Sequence, residues 1–226
     1  MNTRALLLDI DGTLVQSNGA HAQSWCETFA EFGYDLSRDR IRPLIGMGGD
    51  KILATLTPGL NPEQGLGKEI SDRRKAIFLK QFAPGLQPQP GNRPLLQACL
   101  ERCYRLIVAT SAKTDELQTL LRAAGIDDLI HDAATSDDAS NSKPDPDIVE
   151  AALEKARVDR SHTLMLGDTP YDILSAHSAG IKIIALRCGG WREPDIGDAE
   201  AVYDDPEDLR KALVRSNFRV LEELFQ

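Results

Sequence analysis

Four short apolar runs punctuate the chain: ALLLDI from Ala5, RLIVAT from Arg105, TLMLGD from Thr163 and IKIIAL from Ile181. None alternates apolar with polar residues, so each predicts a strand buried on both faces, as in a parallel sheet covered by helices. A weaker run, DAATS from Asp132, predicts a further strand between the second and third. Between the runs the spacing turns helical. Leu117, Leu120, Leu121 and Ala124 share one helical face, with Thr114 as its cap and Gly125 as its stop. Ile148, Val149, Ala152, Leu153 and Ala156 share another, with Asp145 as cap and Pro146 at the first position. Thr169 and Pro170 open a third helix, which ends at Gly180. This alternation predicts an α/β fold, a doubly wound parallel sheet.

From about Ser17 to Phe82 the alternation stops. AHAQSWCETFAEFG, RDRIRPLIG and EISDRRKAIFLKQF carry helical spacing and turn breakers, with no strand among them. The stretch APGLQPQPGNRP, rich in proline and glycine, then leads back as a linker. The expected organisation is an α/β core formed by residues 1–16 and 83–226, with an α-helical cap domain inserted at 17–82.

Composition narrows the function. The 226 residues are enough to bury a sizeable core, and 42% hydrophobic with 27% charged is that of an ordinary globular chain. With 26 basic against 35 acidic side chains the net charge is −9, which argues against a nucleic-acid partner. No apolar run approaches the ~18 residues of a membrane span, and the first ten residues meet Asp9 too early for a secretory signal. The four cysteines lack the spacing of a disulfide framework. Cys99 and Cys103 stand four apart without a histidine pair, so both read as buried thiols. A cytoplasmic protein with a small-molecule partner is expected.

In a doubly wound sheet, ligands bind at the carboxyl ends of the strands. There the first strand delivers Asp9 and Asp11, the next delivers Thr110 and Ser111, and the GD strand delivers Asp168, with Lys143 just ahead of a helix. Three converging carboxylates repel one another and raise each other's pKa. A Mg²⁺ ion, which prefers hard oxygen ligands, relieves that and bridges to a phosphate. Lys143 adds a point charge for a phosphoryl oxygen and Thr110 a donor, so the set fits phosphoryl transfer.

These residues lie in four motifs in order: DIDGTLV from Asp9, Thr110 after LIVA, Lys143 in SKPDP, and GDTPYD from Gly167. In them the chain resembles the haloacid dehalogenase-like hydrolase superfamily over nearly its whole length, in the style of phosphoglycolate phosphatases and β-phosphoglucomutases. The resemblance implies that Asp9 is the nucleophile, forming an aspartyl-phosphate, and a Mg²⁺ ligand. It implies that Asp11 protonates the leaving alcohol and then activates water, while its carbonyl ligates the metal. Thr110, Ser111 and Lys143 would hold the phosphoryl group and Asp168 would complete the metal site, with Asp172 in support. Dehalogenases lack the second aspartate and phosphonate hydrolases carry alanine there, so a phosphatase acting on a small phosphorylated metabolite is expected.

Other readings stand beside these. DxDG also opens a calcium-binding EF-hand loop, but position twelve is Ala20, where a glutamate is required, and a strand precedes it. Asp172, three residues after Thr169, is placed to close a capping box as well as to support a metal. GMGGDK from Gly46 lacks P-loop spacing and reads as a turn facing the site. His21 reads as a helix residue and Trp191 as packing, while Arg38, Arg40, Arg42 and Lys51 form a solvated face from which one reaches the cleft. Two alternatives to the phosphatase remain. A phosphomutase typically carries an arginine soon after the glycine equivalent to Gly46, where this chain has Met47, Gly48, Gly49 and Asp50. A receiver-like phospho-switch module uses similar residues, but is shorter, uncapped and phosphorylated mid-chain.

Overall fold

The computed structural model describes residues 3–225; residues 1, 2 and 226 of the expected core lie outside them. The elements run β1 (Arg4–Leu8), α1 (Asn18–Glu31), α2 (Arg38–Ile41), α3 (Gly49–Leu56), α4 (Gly65–Ile77), α5 (Asn92–Glu101), β2 (Tyr104–Ala109), α6 (Thr114–Ala124) and β3 (Asp132–Ala134). There follow α7 (Asp147–Ala156), β4 (Thr163–Gly167), α8 (Pro170–Ser178), β5 (Lys182–Leu186), α9 (Glu193–Ile196), β6 (Ala201–Tyr203), α10 (Pro206–Ser216) and α11 (Arg219–Leu224). Among the described residues the strands form one sheet, ordered β3-β2-β1-β4-β5-β6, and every pairing is parallel. The order reverses beside β1, which places the crevice at the ends of β1, β2 and β4.

The sheet explains why its strands do not alternate in polarity. Leu6 and Leu8 of β1 join Leu106, Val108, Leu164 and Leu166 on one face, under α5, α6 and α10. Ala5 and Leu7 join Ile107, Ala109, Met165 and Ile183 on the other, under α7 and α8. Both faces are dry, so the central positions of β1, β2, β4 and β5 are apolar, and the charged Arg4, Arg105 and Lys182 stand at or near the strand starts. The edge strand β6 is different: Ala201, Val202 and Tyr203 are all half-buried and too few to print an apolar run, so sequence pattern misses it.

The helical stretch after β1 gathers its own cluster of Ala22, Trp25, Phe29, Ile41, Ile45, Ile52, Leu53, Leu56 and Ile70. No helix among the described residues is long and apolar enough to cross a membrane. Two expected caps are displaced. Thr114 is the first residue of α6 rather than its cap, and its N–H donates to Asp137 Oδ2. Asp145 does not cap α7, which begins after Pro146; its carboxylate instead pairs with Lys51 of α3. Cys99 is a buried thiol, its pKa pushed up to about 12 by burial, but Cys103 has left the helix and is exposed at φ 62°.

Leu7 is fully enclosed at the centre of the sheet, paired in register with Ile107 and Met165. Leu7→Ala is expected to lower unfolding free energy by about 2–5 kcal/mol, measured by urea denaturation. A loss below ~1 kcal/mol would contradict a sheet packed on both faces.

Candidate active site

The register brings the strand ends level. Asp9 follows β1 and its N–H donates to Leu166 O at 2.9 Å, while Thr110 follows β2 and its N–H donates to Ala134 O at 3.0 Å. Asp168 follows β4 and is wholly buried. Lys143 arrives from the loop before α7; its Nζ lies 2.7 Å from Asp9 Oδ1 and 2.7 Å from Asp172 Oδ1. Asp172 does two things at once. Its other oxygen accepts from Thr169 N at 3.1 Å, and its own N–H donates to Thr169 Oγ1, so the capping box of α8 is complete while Lys143 is held.

Thr13 and Asn18, which motif reading left without a role, tie the remaining oxygens. The Thr13 hydroxyl stands 2.9 Å from both Asp9 Oδ2 and Asp168 Oδ1, and Asn18 Nδ2 donates to Asp168 Oδ2 at 2.8 Å. Gly12 makes this packing feasible: at φ +86° it occupies the left-handed region, and a Cβ there would strike the Asn18 amide and the Asp168 carboxylate.

Oxygens of Asp9, Asp168 and Asp172 lie within 4.8 Å of one another, all buried. The Lys143 ammonium bonds two of these carboxyl groups, and the Asp168 carboxyl has only the neutral Thr13 and Asn18 as hydrogen-bond partners among the described residues. Burial first, then the neighbouring Asp172, push the Asp9 carboxyl up to about 7 against the pull of Lys143. Burial, then Asp9 and Asp172, raise Asp168 well above the ordinary carboxylate range. For Lys143 burial works against the charge, but the two carboxylates outweigh it and its pKa is raised. Unspent negative charge on hard oxygen donors fits a Mg²⁺ ion, and the trio could hold one.

The Asp11 side chain stands apart from that trio. Its Oδ1 accepts from Ser17 Oγ and lies 2.8 Å from His21 Nε2. Burial acts to raise its pKa, but His21, Ser17 and Arg74 outweigh it and the net shift is downward. His21 is therefore more than a helix residue: its ring stacks on Phe78 at 4.0 Å and its nitrogen meets Asp11.

A cavity of about 60 Å³ joins these groups to the helical segment. Asp9, Asp11, Thr110 and Ser111 form its floor; Trp25, Ile45, Met47 and Ile52 form much of its roof. The GMGGDK turn does face the site, with Gly46 at φ +114° pressed against Thr169. Ser111 Oγ is buried with no partner among the described residues. Arg74 and Glu116 also line the cavity, although no local motif marks either. Trp191 packs edge-on against Tyr171, with Arg42 over its ring. Of the expected solvated face, Arg42 reaches Gly189 O and Lys51 reaches Asp145.

Residues 6–186 match the family described as haloacid dehalogenase-like hydrolase. Over 211 residues the chain is 32% identical to a phosphoglycolate phosphatase of Rhodospirillum rubrum, spanning 89% of this chain and 87% of that one. A hydrolase from Pseudomonas syringae superposes with a TM-score of 0.84 at 29% identity, covering 94% of this chain and 99% of its own. CbbY from Rhodobacter sphaeroides, solved in complex with xylulose-(1,5)bisphosphate, superposes at 0.79 with 25% identity, covering 92% and 96%.

The carboxyl cluster sets a pH dependence. Asp9 titrates near 3.8 in an unfolded chain and near 7 in the metal-free fold, so between those values the native state binds more protons. Stability must then fall as pH rises through that window. Thermal midpoints in chelator are expected to decline from about pH 4 to about pH 7, and Mg²⁺ to flatten the decline. A midpoint that rises across this range in chelator would contradict the assigned electrostatics.

Proposed function

The chain belongs to the haloacid dehalogenase-like hydrolase family and is a phosphatase within it, and we propose that it hydrolyses a small phosphomonoester in the cytoplasm, with Mg²⁺ and an aspartyl-phosphate on Asp9. The observation that carries this reading is the contrast between Asp9 and Asp11. One sits among buried carboxyls on Lys143, the other two residues on is tied to His21 and Ser17, and both face one cavity. Four free cysteines agree with a reducing compartment.

In the proposed reaction an Asp9 oxygen forms a bond to phosphorus as the ester P–O bond breaks, and Asp11 gives the departing alkoxide its proton. Water then attacks the phosphorus of the aspartyl-phosphate, passes a proton to Asp11, and Asp9 is restored. Lys143 is placed to transfer its charge from Asp9 to a phosphoryl oxygen, and the Thr110 and Ser111 hydroxyls to donate to the others. Asp9, Asp168 and the Asp11 carbonyl are the proposed ligands of Mg²⁺, with Asp172 in support; the ion supplies the positive charge that keeps the nucleophile ionised and the phosphate approachable. The lowered pKa of Asp11 suits its role as base in the second step. For the first step it must carry a proton, and an arriving phosphate dianion raises its pKa in that direction.

The helical segment 17–82 is the proposed cap, closing over the substrate with Trp25, Ile45, Met47 and Ile52. A small cavity under an apolar roof supports a small substrate. The receiver-like alternative does not hold for a phosphatase of this family.

Asp9→Asn is expected to abolish phosphate release while the circular dichroism spectrum and thermal midpoint remain those of a folded protein. An amide keeps the shape but cannot attack phosphorus, so retention of more than a small residual rate would remove Asp9 from the nucleophile's role. Chelation is expected to stop turnover and Mg²⁺ to restore it; full activity in excess chelator would sink the metal assignment.

Asp11→Asn separates the two half-reactions. An aryl phosphate has a good leaving group and needs little acid, so it should phosphorylate this variant and then stall for want of a base. Rapid-quench trapping should show a burst of phosphoenzyme followed by slow hydrolysis. Equal losses on alkyl and aryl phosphates, with no trapped intermediate, would overturn the acid–base assignment.

A further inference from the structure

The geometry points to Arg74 as the residue that selects the substrate, by binding a carboxylate carried on the alcohol part of the phosphoester. This rests on the phosphatase reading above and deepens it.

Arg74 lies on α4 and lines the same cavity as Asp9, Asp11, Thr110 and Ser111. Its charge is felt at Asp11. The guanidinium is held between two rings, 5.5 Å from the Trp25 centroid and 5.9 Å from that of Phe78, which fixes its position at the cavity wall. A cation immobilised in advance loses little freedom when it binds an anion.

Its donors are not spent. The side chain is 14% exposed, and Nε is enclosed with no partner among the described residues. Its ion-pair partner is Glu116 of α6, itself 2% exposed, but the two groups are poorly seated. Nη1 stands 3.1 Å from Oε1 without an aligned hydrogen bond, and Nη2 stands 3.5 Å from Oε2. Well-formed guanidinium–carboxylate forks close to about 2.7–2.9 Å on two parallel bonds. The same chain makes them at its surface: Arg93 meets Asp128 at 2.6 and 2.7 Å, and Arg73 meets Glu31 at 2.5 and 2.7 Å. A pair kept only to fasten two elements would be expected to seat as well inside as those do outside. Instead the buried arginine keeps unsatisfied donors beside the reaction cavity, with Glu116 as a loose counter-ion.

The cavity decides which anion fits. At about 60 Å³ it holds on the order of five water-sized groups. So small a space favours a short ester, and the charge on its wall rather than its volume separates one short tail from another. Trp25, Ile45, Met47 and Ile52 offer a carboxylate no charge, and the other basic side chain of the lining, His21, already meets Asp11. A neutral tail leaves Arg74 with its loose partner and gains nothing from it.

The test uses two esters of the same length, 2-phosphoglycolate and ethyl phosphate, which differ by a carboxylate in place of a methyl group. Phosphate release is measured with Mg²⁺ for the wild-type chain, Arg74→Gln and Glu116→Gln, and the quantity read is the ratio of kcat/KM for the two esters within each protein. That ratio cancels any general damage to the fold. Wild type is expected to prefer phosphoglycolate. Arg74→Gln should lower the ratio by about 100-fold, as for loss of a buried charged hydrogen-bond partner. Glu116→Gln should raise it, because it removes the competing carboxylate. A purely structural ion pair moves both variants the same way, so a parallel fall would overturn the proposal, as would an unchanged ratio in Arg74→Gln or no preference in wild type. Failure to release phosphate from either ester or from p-nitrophenyl phosphate would overturn the phosphatase reading itself; turnover of the aryl ester with no preference between the alkyl esters overturns the role of Arg74 alone.

Discussion

The carboxyl edge of the sheet depends on one buried ammonium. Lys143, 1% exposed, is bonded to Asp9 and Asp172, and no other cation is bonded to those two side chains among the described residues. Removing a partner from such a pair leaves an uncompensated buried charge, which is far more damaging than loss of a surface bridge. The contact also has mechanical reach. Asp172 caps α8 through Thr169, so the start of that helix, the end of β4 and the end of β1 are referred to the same nitrogen. Thr13 and Asn18 extend the network to Asp168 and to the first turn of α1. The fold thus fixes Asp9, Asp168 and Asp172 through one ammonium and neutral donors, and leaves the cluster with negative charge that the proposed Mg²⁺ would offset.

Two aspartates separated by one residue experience opposite environments because the chain leaves the sheet between them. Asp9 still belongs to the sheet, with its N–H on Leu166 O, and its side chain points among the other carboxyls. By Asp11 the chain has turned, and the side chain faces α1, where Ser17 and His21 receive it. Burial acts on both in the same sense; the difference in sign comes from partners. Pairs of titratable groups driven apart in this way are how one site carries both a nucleophile and an acid–base. The division of labour proposed for Asp9 and Asp11 therefore follows from where β1 stops.

The residues proposed to carry the chemistry were legible in sequence because they sit next to strands, and buried parallel strands announce themselves as apolar runs. Asp9, Thr110 and Asp168 could be placed on one edge from three such runs alone, and the capping role of Asp172 followed from its spacing to Thr169, though its bond to Lys143 did not. What escaped shares a different physics. β6 is half-buried and three residues long, so it leaves no pattern. Thr114 and Asp145 look like caps by type, but tertiary partners claim them: Asp137 and Thr135 for the first, Lys51 for the second. Intrinsic preference for a cap is worth about 1 kcal/mol and yields to such contacts. In sequence His21 is one helix residue among many, because its meaning lies in Asp11, ten positions away around a turn.

The same distinction separates chemistry from selectivity in this molecule. Groups proposed for phosphoryl transfer are delivered by strand ends, where backbone hydrogen bonds in the sheet hold their positions. Groups that would read the rest of a substrate come from the helical segment, which packs around its own apolar cluster and meets the sheet edge through side chains. Arg74 and Glu116 illustrate the consequence. They are 42 positions apart, on α4 and α6, and neither has a local signature, yet they share one wall of the cavity. A substitution in α4 can therefore change what the pocket accepts without disturbing the hydrogen bonds that hold Asp9, Asp168 and Lys143. The α1 residues Asn18 and His21 do bond Asp168 and Asp11, but Arg74 of α4 shares no hydrogen bond with Asp9, Asp168 or Lys143, so the proposed selectivity can change while the sheet edge keeps its geometry.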